Sequence, residues 1–259
     1  MAGKTLINGT AYTINGGRTL IGGTGYDIKS GKTLIGGTGQ TISFVKMPVK
    51  GNLIWINSDG TNRTYRVLKV NGSVAEVMSY YYPGSSRFNR EETNNNYKDS
   101  ILDNYLNSTY YNSLRDDFTA AIIPKNIIQY NYSRLPAELD MFFYADYSSK
   151  SVKTSVGLRN IYALDIEDIE MYFGGTGGSV SANSPGSFNK SDLLDFFLSD
   201  SDRADRYWLR SSATEDYGVW EYYISSSEIT ITSEGADLSR FCLPVCQIDL
   251  SKIPFTIVG

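Results

Sequence analysis

Residues 207–250, YWLRSSATEDYGVWEYYISSSEITITSEGADLSRFCLPVCQIDL, decide how the rest of this chain is interpreted. Apolar residues alternate along them with polar, small and tyrosine residues, which is the pattern of half-buried β-strands. Large side chains in such strands usually face inward, so Trp208, Leu209 and Trp220 are predicted to lie in the core. Arg210 is predicted to pair with a carboxylate or carbonyl inside the fold. The stretch therefore predicts a closing β-sheet that holds a tyrosine-rich contact surface.

The overall composition is that of an ordinary globular protein. The 259 residues are 41% hydrophobic and 20% charged, which allows one large domain or two smaller ones. The net charge of −4 and the scattered Lys and Arg residues predict no nucleic-acid partner. No run reaches the roughly 20 apolar residues of a membrane span, so no membrane insertion is expected. The start MAGKTLINGT lacks the apolar core of a secretion signal, so cytoplasmic synthesis without Sec export is expected.

Histidine is absent from the whole sequence. Its absence removes the usual general base, most zinc sites, and the Ser-His and Cys-His nucleophile pairs. We therefore expect no enzymatic activity, no cofactor and no metal. One catalytic alternative stays open, because Glu215, Asp216 and Glu221 could form the carboxylate pair of a glycan hydrolase.

Covalent and metal cross-links are not expected. Cys242 and Cys246 lie four positions apart, which is about 13 Å along a strand, whereas a disulfide needs Cα atoms within about 7 Å. Both are therefore predicted to be buried free thiols. Asp200, Asp202 and Asp205 are close enough in sequence for calcium, but the glycine and terminal glutamate of an EF-hand do not follow. A surface acidic turn is the favoured interpretation.

The N-terminal segment is built from a repeat. The sequence GKTLINGTAYTI of residues 3–14 returns as GRTLIGGTGYDI at 17–28 and as GKTLIGGTGQTI at 31–42. Each unit predicts two very short strands joined by an Asn-Gly or Gly-Gly turn. One unit cannot bury its Leu and Ile residues alone, so stacked units or several chains are required. Residues 1–43 are therefore interpreted as an oligomerisation or docking element, with a homotrimer favoured and a flexible glycine-rich linker as the alternative.

Residues 44–259 predict one globular domain of mixed α+β class rather than a βαβ fold. Asn71-Gly72 is the strongest hairpin signal in the chain. Asp165 is a predicted N-cap, followed by acidic residues in the first turn of a helix. Strands are predicted at 53–56, 64–70, 74–80, 120–123 and 161–164, helices at 97–107, from Ser108 onward, at 166–173 and from 189 or 191 to 198, an irregular loop at 129–153, and a closing sheet from 207.

Two segments carry a resemblance to a known family. Residues 161–173, IYALDIEDIEMYF, are similar to the LLS-x-E-E-hydrophobic helix entry of the DUF6273 family of bacterial and phage domains. The YWLRS sequence at 207–211, Val219-Trp220 and a final hydrophobic-Pro-hydrophobic strand complete the resemblance. It implies a C-type-lectin-like fold of the formylglycine-generating-enzyme branch, preceded here by the short all-β repeat segment. Targets of diversity-generating retroelements share that fold and carry their mutable residues on its C-terminal strands and loops.

The chain also departs from the family pattern. Many members have Gly-Val-Arg-Pro before the last strand, where this chain has Phe241-Cys242-Leu243-Pro244. Any role of that arginine in holding the loop therefore does not transfer. Catalytic members of the wider fold use cysteines for formylglycine chemistry, and the two cysteines here lack that context, so catalysis does not transfer either.

The candidate ligand-binding residues lie in two loops and the strands beside them. Tyr and Ser with acidic neighbours resemble an antibody paratope, although a solvated loop would have the same composition. An exposed Phe241 would support the assignment, because exposed aromatic residues clustered in loops often mark binding sites. The full set is Ala213, Thr214, Glu215, Asp216, Tyr217, Glu221, Tyr223, Ser225 and Ser226, joined by Ala236, Asp237, Ser239 and Phe241.

The expected function is receptor binding by a phage or prophage virion protein. The N-terminal units resemble those of phage virion proteins from Gram-positive gut bacteria, which suggests a tail, fibre or capsid-decorating component. Its expected partners are a host cell-surface protein or glycan and other virion proteins. Several copies of the surface would add weak contacts through avidity. A purely structural virion component and a cell-surface glycan hydrolase are the alternatives.

Overall fold

The computed structural model describes residues 3–7, 10–14, 18–21, 24–30, 43–80, 84–91, 94–136, 143–173, 187–189, 205–214, 218–224 and 228–258. In the described part, β-strands predominate and helices are few, in agreement with the predicted α+β class. No helix in these ranges is both long and apolar enough to cross a bilayer.

The first two repeat units each form a hairpin, as predicted. Strands β1 (Gly3–Ile7) and β2 (Thr10–Ile14) pair antiparallel. Strands β3 (Arg18–Ile21) and β4 (Thr24–Ser30) do the same, and β5 (Ser43–Lys46) joins β4. The predicted boundary between residues 43 and 44 therefore falls inside β5. The third unit, residues 31–42, lies outside the described residues.

One six-stranded antiparallel sheet forms the first half of the globular fold. Its strands are β6 (Leu53–Asn57), β7 (Asn62–Asn71), β8 (Val74–Ser79), β10 (Ile122–Ile123), β18 (Val245–Asp249) and β19 (Thr256–Ile257), in the order β10-β18-β8-β7-β6-β19. The Asn71-Gly72 hairpin is confirmed, and Gly72 has φ 65°, a left-handed conformation that glycine adopts without strain. The buried residues Ile54, Val67 and Val77 place the core against this sheet.

The helical segment after this sheet differs from its prediction. A helix α1 (Ile101–Asn104) continues as a π-helical segment (Tyr105–Tyr110) and then as α2 (Tyr111–Ser113). The N-cap is Ser100, whose Oγ accepts from Asp103 N at 3.0 Å. The prediction of a new helix capped by Ser108 is therefore wrong, because the Ser108 hydroxyl donates to Asn104 O within the continuous helix. A further helix, α3 (Asp116–Ala121), shortens the predicted strand at 120–123 to the two residues of β10.

The predicted irregular loop at 129–153 is instead largely a pair of long strands. Strands β11 (Lys125–Pro136) and β12 (Phe143–Arg159) pair antiparallel along most of their length. The register shifts after Ile127, Gln129 and Asn131. Each shift is a bulge that breaks the two-residue alternation of side chains, so the sequence shows no strand periodicity.

A second six-stranded sheet contains β11 and β12 at one edge. Its other strands are β13 (Ser187–Asn189), β14 (Asp205–Ala213), β15 (Gly218–Ile224) and β16 (Glu228–Gly235), in the order β12-β11-β14-β15-β16-β13. A small pair of β9 (Ser86–Arg87) and β17 (Ser239–Arg240) lies beside β14. Of the helix predicted from 189 or 191 to 198, only Asn189 is described, and it belongs to β13.

Helix α4 (Ile166–Phe173) is confirmed together with its cap. Asp165 Oδ1 accepts from Glu167 N at 3.1 Å, and Asp168 Oδ2 accepts from Asp165 N at 2.9 Å. This reciprocal arrangement is a capping box in which two aspartates satisfy two unpaired backbone donors. The strand predicted at 161–164 is reduced to a single bridge between Tyr162 and Val245.

Candidate functional site

Two central strands of the second sheet, β14 and β15, are buried on both faces over residues 207–213 and 218–222. Trp208 and Trp220 point to opposite faces, and each is at most 1% exposed. Trp208 Nε1 donates to Ser86 O at 2.9 Å, and Tyr207 stacks on Tyr222 with ring centroids 4.9 Å apart. The predicted core placement of Trp208, Leu209 and Trp220 is confirmed. The connection between β14 and β15 therefore begins and ends next to buried, packed residues.

Glu221 lies inside this sheet and not on an exposed face, which corrects its assignment to the contact surface. Its side chain is fully buried opposite Trp208. Oε1 accepts from Arg206 Nη1 at 2.5 Å and Oε2 accepts from Arg240 Nε at 2.6 Å. Burial raises the pKa of the Glu221 carboxyl, and the hydrogen bonds from Arg240 and Arg206 oppose that effect. Since both oxygens are bound to arginines, Glu221 is also unsuited to the carboxylate pair of a glycan hydrolase.

Three other predicted contact residues lie inside or partly inside the fold. Ala213 is 3% exposed and Ala236 is fully buried, because both small side chains pack into the core at strand ends. Phe241 is half-buried rather than exposed, with its ring 5.9 Å from that of Tyr207. Its backbone is tied to β14 by hydrogen bonds to Trp208 and Arg206 at 2.8 and 3.1 Å. Direct ligand contact through these three side chains is therefore not expected.

Some of the remaining predicted contact residues are exposed or half-buried, and the others lie outside the described residues. Thr214 and Ser239 are exposed, and Asp237 is half-buried. Tyr223 is placed only by its backbone, which pairs with Arg206 and Thr230. Glu215, Asp216, Tyr217, Ser225 and Ser226 lie outside the described residues.

A buried polar cluster lies at the base of the connection between β14 and β15. Asn95 Nδ2 donates to Ala213 O at 3.3 Å and to Gly218 O at 3.2 Å, the two residues that flank positions 214–217. Gln129 Nε2 donates to Asn95 O at 2.7 Å, and Lys153 Nζ contacts Asn95 Oδ1. Gln129 in turn accepts from Tyr97 N at 2.8 Å. We call Asn95, Tyr97, Gln129 and Lys153 the Asn95 cluster, and residues 214–217 the display loop.

The first residue of the display loop has further partners on β11. Thr214 N donates to Tyr132 O at 3.2 Å, and its hydroxyl is 3.0 Å from that of Ser133. Two positions earlier, Ser212 Oγ donates to Asn131 Oδ1 at 2.5 Å. The start of the loop is therefore aligned along β11 by both backbone and side-chain contacts.

The sequence did not predict the Asn95 cluster. Asn94-Asn95-Asn96 reads as a polar turn, and nothing in the pattern separates the buried Asn95 from its two exposed neighbours. Gln129 and Lys153 fall in the segment predicted as irregular loop. Burial lowers the pKa of Lys153 to about 8. A lysine in a strand gives no sequence signal of such an environment.

Arg210 joins the two segments that carry the family resemblance. Its Nη1 donates to Asp168 Oδ2 at 2.5 Å and to Ala163 O at 2.6 Å, which confirms the predicted interior partner. Ile166 N donates to Ser211 Oγ at 3.0 Å, so the WLRS segment also contacts the start of α4. Burial opposes the charge of Arg210, but Asp168 and Asp165 together hold its pKa above the ordinary value. The two motifs therefore form one structural unit.

The cysteines and the possible metal ligands were further candidate groups in the sequence. Cys242 and Cys246 are buried and free, as predicted, and burial raises the pKa of Cys242 to about 12. No group of three metal-ligating side chains occurs among the described residues. The candidate calcium ligands Asp200 and Asp202 and the side chain of Asp205 lie outside them.

Comparison with known proteins gives one family. The model of the family described as domain of unknown function (DUF6273) matches residues 72–249, more than half of the chain. The match contains both segments joined by Arg210, the Asn95 cluster and the display loop. Neither a curated protein nor a solved structure matches the chain.

Proposed function

The chain belongs to the DUF6273 family, and from this premise we propose that it is a phage virion protein that binds a host-surface protein or glycan through its display loop. In this proposal the domain has a C-type-lectin-like fold, and the N-terminal repeats connect several copies or dock them on the particle. The ligand-contacting residues are Thr214, Glu215, Asp216 and Tyr217, joined by Asp237 and Ser239 of the second loop.

The observation that carries the proposal is the way the display loop is attached. It connects two strands whose residues nearest the loop, 210–213 on β14 and 219–222 on β15, are all at most 5% exposed. A loop held at both ends by rigid strands loses little conformational entropy on binding. Tyrosine with acidic residues is also a composition that makes adaptable contacts with large area and few rotatable bonds.

The repeats support the multivalent part of the proposal. Each of the first two units forms its own hairpin, and β5 extends the second one into a three-stranded sheet. A two-stranded hairpin is only marginally stable in water, so such units gain stability by packing against other strands or chains. Attachment of several display loops to one base would convert weak contacts into strong adhesion.

The test is binding of the full-length protein to intact cells. Fluorescently labelled wild type and the triple variant Glu215→Ala/Asp216→Ala/Tyr217→Ala are incubated with a panel of Gram-positive bacteria and with their isolated walls. Because a few central residues usually carry most of an interface's binding energy, the triple variant is expected to bind at least about 10-fold more weakly. Asp116→Ala, an exposed acidic position on α3, is the matched control and is expected to bind as wild type does.

Equal binding by the wild type and the triple variant would overturn the assignment of the display loop. Absence of binding to all cells, together with co-purification with assembled particles that fall apart when residues 44–259 are removed by protease, would favour a purely structural virion component.

A further inference from the structure

We propose that Asn95 is the positioning residue for the two strand ends from which the display loop leaves, and that it holds Ala213 and Gly218 together whatever side chains residues 215–217 carry. This inference rests on the proposed function for its biological meaning, but its structural content can be tested separately. Asn95 is remote in sequence from the loop, since 118 residues separate it from Ala213 and 123 from Gly218.

The contacts of Asn95 close the loop from one side chain. Its single Nδ2 donates to a carbonyl at the end of β14 and to a carbonyl at the start of β15. It therefore joins the two ends of the connection as a cross-strand hydrogen bond would. Asn95 is only 8% exposed, so water competes poorly for these donors.

Both acceptors are main-chain oxygens, so the two hydrogen bonds do not depend on which side chains the loop carries. A carbonyl of the backbone is present whichever residue occupies the position. Substitution within residues 215–217 therefore leaves both hydrogen bonds in place, provided that the backbone at Ala213 and Gly218 stays where it is. Thr214 adds a further main-chain contact to Tyr132 O, which likewise does not involve the side chains of residues 215–217.

Lys153 and Gln129 set the orientation of the Asn95 amide. An ammonium group can only donate, so the amide oxygen must face Lys153 and the NH2 group must face the two loop carbonyls. Gln129, fully buried on β11, fixes the Asn95 backbone by donating to its carbonyl. The donor is thus aimed at the loop by residues of β11 and β12, and sequence changes inside the loop do not alter that aim.

The experiment measures amide hydrogen exchange of residues 212–219 in the full-length protein. Asn95→Asp keeps the size of the side chain but replaces the donor with an acceptor that faces two carbonyls. Loss of two hydrogen bonds is expected to speed exchange in this peptide by about 10- to 30-fold. Asn96→Asp, the exposed next residue, is the matched control and should exchange as wild type does. The β7–β8 hairpin should be unchanged in both.

A second arm tests independence from the loop sequence. The triple alanine variant at residues 215–217 is expected to keep wild-type exchange at residues 212–214 and 218–219, and to lose that protection when combined with Asn95→Asp. Wild-type exchange in folded Asn95→Asp would overturn the proposal. If Asn95→Asp fails to fold, Asn95→Ala is measured in its place. The proposal confines the effect of Asn95 to residues 212–219, so failure of both variants to fold would also overturn it.

The two proposals fail in different ways. If the triple variant binds cells normally while Asn95→Asp speeds exchange, the binding function is wrong and the positioning role stands. If Asn95→Asp binds and exchanges as wild type does while the triple variant loses binding, the binding function stands and the positioning role is wrong.

Discussion

Two buried polar networks in this protein differ in what they hold. The Arg210 network, comprising Arg210, Asp165, Asp168 and Tyr132, joins the start of α4 to β11 and β14, with Tyr132 donating to Asp165 at 3.0 Å and Arg210 to Asp168 at 2.5 Å. The Asn95 cluster instead ends on the backbone at both ends of the display loop. The first network depends on its side chains, because Asp168 without Arg210 would be a buried unpaired charge. The second acts through main-chain oxygens, which are present whatever side chains the loop carries.

This difference predicts the largest effect at Arg210. In Arg210→Met, Asp168 stays buried without its ion-pair partner, so the free energy of unfolding is expected to fall by about 3–5 kcal/mol. Urea denaturation followed by circular dichroism measures the change. Arg115→Met is the control, because Arg115 and its partner Asp117 are both exposed, and its unfolding midpoint should match the wild type. Wild-type stability of Arg210→Met would remove the distinction between the two networks.

A smaller loss of stability is expected from Glu221→Gln. This change leaves Arg206 and Arg240 beside a neutral amide, and their partial exposure of 31% and 20% allows water to compensate in part. We expect a loss of about 2 kcal/mol in unfolding free energy and no change in binding to cells. Glu234→Gln, which removes a half-exposed partner of the same Arg206, is the control and should cost less than about 1 kcal/mol.

A different result for Glu221→Gln would mean that Glu221 serves binding and not the stability of the fold. Wild-type stability of Glu221→Gln combined with weaker binding to cells would mean that Glu221 contacts the ligand, as its sequence pattern had suggested.

A third effect is expected in the pH dependence of the Asn95 cluster. Burial lowers the pKa of Lys153 from 10.5 to about 8, so between these values the unfolded chain binds more protons than the folded one. The cost of burying the charge is therefore fully present below about pH 8 and is relieved as the pH rises toward 10.5. The stability of wild type relative to Lys153→Met should accordingly increase across this window. Lys69→Met, at an exposed lysine of β7, is the control, and its stability relative to wild type should not change with pH. A stability difference between wild type and Lys153→Met that is also constant with pH would contradict the lowered pKa of Lys153.

The sequence predicted local features of the fold better than distant ones. The Asn71-Gly72 turn and the Asp165 cap depend on neighbouring residues, and both are confirmed. The β11–β12 pair was missed because its bulges remove the alternation on which strand prediction depends.

The candidate site shows the same limit. Glu221 was placed on the surface because charged residues are usually exposed, but two arginines from β14 and β17 bury it. Asn95 was not predicted at all, since its role depends on contacts with residues more than 100 positions away. Such pairings arise only when the chain has folded.

Photo-crosslinking from the display loop tests the central claim most directly. A photoreactive amino acid is introduced at Tyr217 or at the control position Asp116 of the full-length protein, which is then irradiated on intact cells. The account predicts that cell-surface material becomes attached at position 217 and not at position 116. Attachment at 116 but not at 217, or at neither position on cells to which the protein binds, would contradict it.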